Sequence, residues 1–232
     1  MEDTHIEPIK FFGRRKGRPI RPRRQELLDG LLPRLVLPGP PFQDIPDPRL
    51  LFGPPGAVRD VWLEVGFGGG EHLAAQAAAY PDIGIIGAEP FQNGVASLLD
   101  KIDRQDLPHI RILPNDVRPL LPHLPDGCLG RCFVMFPDPW PKTRHVERRF
   151  LGGENLDQLV RLLRPGGELR AASDEPILVP WMDAQLRCHA DLTPIGPGRF
   201  NQHPTSDWPT TRYESKALAA GRAPSYWLYK RK

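Results

Sequence analysis

Three observations predict an α/β protein with a seven-stranded, mostly parallel sheet covered by helices on both faces. From residue 58 onward, apolar runs of strand length alternate with amphipathic segments of helix length. Acids or glycines stand directly after five of those runs, where ligands collect in open parallel sheets. The fourth run delivers Phe136-Pro137-Asp138-Pro139-Trp140-Pro141-Lys142, a proline-spaced segment carrying a carboxylate, an indole and an ammonium.

The elements follow in order. Val61 to Val65 is the first strand, and the alanine-rich stretch Glu71 to Tyr80 is a helix that Pro81 stops. Ile83 to Ala88 reads as a buried second strand, followed by a helix over Gln92 to Arg104. Ile110 to Leu113 is the third strand and Cys132 to Phe136 the fourth. Glu147 to Leu163 has the spacing of a long amphipathic helix, which Arg164-Pro165-Gly166-Gly167 ends before a fifth strand, Glu168 to Ala172. A helix over Leu178 to His189, a strand at Asp191 to Pro194, a loop to about Lys216 and a strand at Ser225 to Lys230 complete the chain. The prolines fix their own φ and bias the preceding residue toward extended backbone, so Asp138 and Trp140 sit on a stiff loop that cannot continue a sheet.

At 40% hydrophobic composition, 232 residues build one well-buried core. We place it in residues 57–232, after a segment 1–56 made of a basic arm, a short helix and a proline-rich connector. Eight prolines between Pro33 and Pro55 mark that connector. The net charge is +3, yet residues 10–24 hold eight Lys or Arg and no acid, which leaves −5 for the rest. Such a segment is either a polyanion-binding arm or a solvated tail. Cys128, Cys132 and Cys188 form no C-x-x-C pair, and the seven histidines lack zinc-ligand spacing, so thiols without a structural role and no metal are expected. No apolar run reaches membrane-spanning length, and Met1-Glu2-Asp3-Thr4-His5 lacks the pattern of a signal peptide. A cytoplasmic protein is expected, monomeric or homodimeric.

Gly66, Gly68 and Gly70 follow G-x-G-x-G, with Glu64 two residues before the first. The dinucleotide fingerprint needs its third glycine where this chain has Glu71, and an acid at the opening of a helix repels a pyrophosphate. A phosphate-free nucleoside cofactor fits better, namely S-adenosylmethionine. Glu89, after the second strand, suits both ribose hydroxyls, and Asp116, after the third, is placed for the adenine amino group. Glu64 either orients the glycine loop or meets the ammonium of the cofactor. Each has a purely structural alternative, since glycines permit tight reversals and acids after strands cap helices.

Together these residues resemble the bacterial tRNA (guanine-N7-)-methyltransferases. The resemblance lies in Phe12-Gly13-Arg14-Arg15-Lys16-Gly17-Arg18, in Leu63 to His72, in the Phe136 to Lys142 segment with Arg144-His145 and Arg148-Arg149, in Ser173-Asp174 and in Thr211-Arg212-Tyr213-Glu214. It implies a Rossmann-like class I methyltransferase fold, tRNA as partner and methylation of a variable-loop guanosine at conventional position 46. It further implies that Glu64, Glu89, Asp116 and Asp138 line the cofactor pocket, and that Lys142, Asp174, Thr211, Arg212, Tyr213 and Glu214 meet the substrate. Two positions depart from the family pattern: Ser173 stands where threonine is common, and Ser215-Lys216-Ala217 replaces the usual Arg-Gly.

Guanine N7 carries an in-plane lone pair at neutral pH, so attack on a sulfonium methyl needs no general base. Alignment dominates such a reaction, and a carboxylate favours the positive charge passing to the base. Asp138 is the residue chosen for that catalytic role. Either Asp138 or Glu214 is expected to grip the Watson–Crick edge, whose N1–H and amino group are donors, with Trp140 or Tyr213 stacking on the base. Trp140 has the alternative of filling the core. Lys142, Arg144, Arg148 and Arg149 read as a basic rim, or as a solvated face. A methyltransferase acting on a small molecule or protein, and a non-catalytic RNA-binding module, are the rival readings.

Overall fold

The computed structural model describes residues 13–232. Met1 to His5, Lys10 and Phe12, which enter the sequence reading, lie outside the described residues. Seven strands form one sheet: β1 (Asp60–Val65), β2 (Ile83–Ala88), β3 (Ile110–Leu113), β4 (Leu129–Met135), β5 (Leu163–Ser173), β6 (Leu192–Phe200) and β7 (Ser225–Arg231). Their order is β3-β2-β1-β4-β5-β7-β6. All neighbours run parallel except β7, which is antiparallel to both β5 and β6. Strand order reverses between β1 and β4, the place where such sheets open a crevice at their carboxyl ends.

Two apolar layers sandwich the sheet, and the period-two alternation of side chains assigns residues to them. Val61 and Leu63 of β1 and Cys132 and Val134 of β4 join one cluster. Trp62, Phe133 and Met135 join the other. Helices α3 (Glu71–Ala79) and α4 (Gln92–Gln105) cover the second layer with α1 (Pro22–Gly30) and the short α2 (Leu32–Leu35), while α5 (Gly153–Leu162) and α6 (Leu178–Cys188) cover the first. A final helix, α7 (Arg212–Ala219), stands before β7.

The described part of the segment before β1 is packed on the sheet domain. Leu27, Leu28 and Leu35 are buried against the α3–α4 layer, and the Leu37 N–H donates to the Ile112 carbonyl at 2.8 Å beside β3. Within the connector, the Ile45 N–H donates to the His123 carbonyl at 2.9 Å.

Three elements differ from the sequence reading. The long helix expected from Glu147 is a 3₁₀ turn, Thr143–Arg148, followed by α5 only from Gly153, because Gly153 takes φ 51° and breaks the helical path. The strand expected at Glu168 begins at Leu163, which pairs with Leu129 ahead of an irregularity in the β4–β5 register. The loop expected up to Lys216 contains the second half of β6 and the first five residues of α7, which continues to Ala219.

Candidate active site

The glycine loop leaves β1 and bends back into α3. Gly66, Gly68 and Gly70 all take left-handed backbone, at φ 69°, 55° and 73°, which accounts for their alternate spacing. Glu89, at the end of β2, is 8% exposed and ties this loop down. One of its carboxylate oxygens accepts the Gly68 N–H at 2.7 Å and the other the Phe91 N–H at 2.8 Å. Burial raises its pKa, the two backbone donors oppose that rise, and the nearby carboxylates of Asp138 and Glu64 add to it.

β4 ends at Met135, and the segment behind it departs from the extended backbone expected before proline. Phe136 and Trp140 both have positive φ, 51° and 41°. Each costs on the order of 1–3 kcal/mol and persists only where its surroundings fix it. The Phe136 N–H donates to the Ala172 carbonyl at 2.7 Å, and its ring stacks with Tyr213 at a 16° interplanar angle. The loop beyond is pinned by Arg149, which donates to the Pro139 carbonyl at 3.0 Å and the Trp140 carbonyl at 3.4 Å. Arg149 is 6% exposed and packs over Trp181, so it is a brace under the loop and not part of a solvent-facing rim. Lys142 and Arg144 are exposed, and Arg148 lies over the Trp140 ring at 5.2 Å.

Glu89 and Asp138 line one cavity of about 370 Å³, together with Gly66, Gly68, Asp116, Trp140 and Tyr213. That volume falls within the roughly 300–1,000 Å³ of small-molecule sites. Asp138 is more open to solvent than Glu89, and its partial withdrawal from water raises its pKa. Asp116 grips Arg118 through both oxygens, at 3.0 Å to Nε and 2.6 Å to Nη2. Burial raises the pKa of Tyr213, and Glu89 and Asp138 add to the effect, so the phenol stays protonated at neutral pH. Glu89 and Asp138 thus bring two carboxylates to the cavity wall, which suits a cationic reacting group.

Several expected residues stand elsewhere. Glu64 is 1% exposed and pairs with His72 Nδ1 at 2.7 Å beneath the glycine loop, outside the large cavity. Asp174 is held by Arg222 Nε at 2.6 Å, also outside it. Thr211 and Glu214 form a capping box at the start of α7: the Thr211 hydroxyl accepts the Glu214 N–H at 3.2 Å, and the Glu214 carboxylate accepts the Thr211 N–H at 3.3 Å. The same carboxylate also meets His203 Nε2 and the Tyr226 hydroxyl, both at 2.8 Å. Of this four-residue motif Tyr213 alone lines the cavity, while Arg212 is exposed on the outer face.

The sequence reading missed Phe91, Asn115, Arg118, Phe150 and Asn155, all of which line the cavity. Gly13 and Arg14 of the basic segment line it too. That segment is docked on α4: Asn93 accepts the Gly17 N–H at 2.8 Å and donates to the Arg18 carbonyl at 2.7 Å, and Arg15 Nη2 donates to Asn115 at 3.2 Å. Such contacts across 75 or more residues leave no local signal in the chain. Among the described residues, no cluster of His, Cys, Asp or Glu is arranged to hold a metal, and no helix is long and apolar enough to cross a membrane.

A parallel sheet with an antiparallel last hairpin, a glycine loop after β1 and an acid after β2 that share one switch-point cavity define a class I methyltransferase. Residues 58–225 match the family model described as a putative methyltransferase. Over 227 residues the chain is 53% identical to the tRNA (guanine-N(7)-)-methyltransferase of Paramagnetospirillum magneticum, covering 97% of this chain and 94% of that one. It is 50% identical to the enzyme of the same name from Rhodospirillum rubrum, covering 100% of this chain and 91% of the relative. Among solved structures, the 16S rRNA methyltransferase KamB superposes with a TM-score of 0.56 at 16% identity, over 76% of this chain and 89% of that one, a likeness of fold. The chain belongs to the tRNA (guanine-N7-)-methyltransferase family.

Proposed function

We propose that this protein transfers the methyl group of S-adenosylmethionine to N7 of a guanosine in tRNA, at the variable-loop nucleotide of conventional position 46, and that it works in the cytoplasm. The observation that carries this reading is the sharing of one cavity by Glu89 and Asp138, from the ends of β2 and β4, in a chain 53% identical to a tRNA (guanine-N(7)-)-methyltransferase. Residues 57–232 are the catalytic domain in this reading, and residues 1–56 bring the basic segment to it.

The residues present fit the cofactor. Glu89 is buried, placed at the end of β2 and rigidly held, as a carboxylate accepting from two ribose hydroxyls must be. Asp116, Asn115 and Phe91 line the part of the cavity assigned to adenine, and Gly66 and Gly68 line the part assigned to the methionine moiety. Of the two roles open to Glu64, orienting the glycine loop is the one its pairing with His72 supports. When bound, S-adenosylmethionine supplies a methyl group carried on a positively charged sulfur.

Guanine N7 needs no proton removed, so the work of the protein is alignment, worth up to about 7–11 kcal/mol in favourable cases. Asp138 accepts from the Watson–Crick edge and favours the positive charge as it reaches the base. Glu214 has its oxygens committed to His203, Tyr226 and the Thr211 N–H, which supports Asp138 for that edge. Tyr213, backed by Phe136, is the stacking surface for the base. Lys142, Arg144, Arg212 and the docked basic segment meet tRNA phosphates. Asp174 and Thr211 serve the substrate by fixing the chain around α7.

Incubation with methyl-labelled cofactor and unmodified tRNA, followed by nuclease digestion, tests the proposal. Label on N7 of the variable-loop guanosine is expected. Label elsewhere would overturn the position, and no transfer would overturn the activity.

A further inference from the structure

Outside the cavity lies a half-buried ionic cluster. Asp207 is held in the stretch between β6 and α7, its side chain 19% exposed. Its carboxylate accepts from Arg170 Nη1 of β5 and Arg131 Nη1 of β4, both at 2.9 Å, and from the Tyr80 hydroxyl at the end of α3 at 2.7 Å. Its main-chain carbonyl accepts from Gln76 Nε2 of α3 at 2.6 Å. Burial by itself would raise the pKa of this carboxyl, but hydrogen bonds from Arg170, Thr205 and Tyr80 outweigh that and hold it well below the usual range. Glu168 shares both arginines, so two acids balance two guanidinium groups.

This half-buried residue thereby receives donors from three different elements. The next residue, Trp208, is 4% exposed, sits beneath Arg170 and packs edge-on against Tyr226. Three positions later Thr211 starts α7, and Tyr213 follows in its first turn. A Cβ on Gly68 would lie 2.8 Å from the Tyr213 ring, so the ring rests directly on the glycine loop. The chain from Asp207 to Tyr213 is short, anchored at Asp207 and capped at Thr211.

We infer that Asp207 is a positioning residue for methyl transfer, which sets the placement of Tyr213 in the cavity by fastening the β6–α7 segment to α3, β4 and β5. The inference rests on the reading of the cavity as a tRNA methylation site. Asp207 touches no reacting group; it acts through Tyr213.

The test is a double-mutant cycle on kcat/KM for tRNA methylation with Asp207→Asn, Tyr213→Ala and the double variant. Asp207→Asn is expected to lower kcat/KM at least tenfold, and to lower it no further when Tyr213 is already alanine. A generally loosened fold would instead give additive losses. Should Asp207→Asn fail to fold, Tyr80→Phe, which removes one donor and leaves both ion pairs, is expected to show a smaller loss that also vanishes without the Tyr213 ring. Additive losses in the cycle that folds, an unchanged kcat/KM for its anchor variant, or full activity of Tyr213→Ala would overturn the inference. Wild-type protein in the same assay separates the two failures, since a wild type without transfer condemns the proposed function and not the role of Asp207.

Discussion

The carboxylate of Glu89 accepts the backbone N–H of Gly68 at 2.7 Å, joining the end of β2 to the loop that leaves β1. The same side chain thus shapes the glycine loop and presents acceptors to the cavity. It pays for this with burial, which disfavours its charge.

Replacing Glu89 with glutamine should weaken binding of S-adenosylmethionine about ten- to a hundredfold, the range expected for charge-assisted hydrogen bonds of about 1.5–3 kcal/mol. Isothermal calorimetry measures this, and unchanged affinity would place the ribose elsewhere.

The same variant reports the pH linkage of the ligand-free fold. A carboxyl whose folded pKa is raised is stabilised by protonation, so the charge on Glu89 costs stability at neutral pH, and that cost disappears as pH falls through the raised folded pKa toward the ordinary 4.5. Glutamine does not titrate and has one acceptor for the two backbone N–H groups, so the wild type should gain stability relative to Glu89→Gln as pH falls from 7 to about 4.5. A wild type that lost stability relative to the variant over that range would contradict the assigned direction.

Gly94 in α4 supports the cofactor loop without lining the cavity. A Cβ there would stand 2.2 Å from the Gly68 carbonyl oxygen, a backbone atom that has no easy way to yield. Gly94→Ala should cost about 1–3 kcal/mol of stability by overpacking and lower cofactor affinity at least tenfold. Denaturant melts and calorimetry report the two losses separately.

Arg149 and Arg144 stand five positions apart and have different physical roles. Arg149→Ala frees the Pro139 and Trp140 carbonyls and should reduce kcat without changing the salt dependence of tRNA binding. Exposed Arg144→Ala should instead flatten the slope of log affinity against log salt by roughly one phosphate contact and leave kcat near normal. Filter binding at several salt concentrations, paired with turnover, distinguishes them.

The sheet was legible in the sequence because buried parallel strands carry continuous apolar runs, and Ile83–Ala88 and Ile110–Leu113 fall where those runs do. The acids after β2 and β4 were legible because carboxylates at strand ends serve no packing purpose. Helix α7 is also marked in the sequence, since Thr211 and Glu214 have the T-x-x-E spacing of a capping box, although its short, mostly polar run reads as loop. The grip of Asn93 on residues 17 and 18 and the cluster around Asp207 were not legible, since they join residues 37 to 131 positions apart and local patterning carries no trace of such pairings.

The central claim is that Asp138 favours the cation formed as methyl reaches N7. Single-turnover methylation by Asp138→Ala, with cofactor and tRNA both saturating and the fold checked by circular dichroism, tests it most directly. Loss of one electrostatic stabiliser of about 2.7–4 kcal/mol predicts a rate a hundred to a thousand times slower. A variant that methylates tRNA at the wild-type rate would contradict the account.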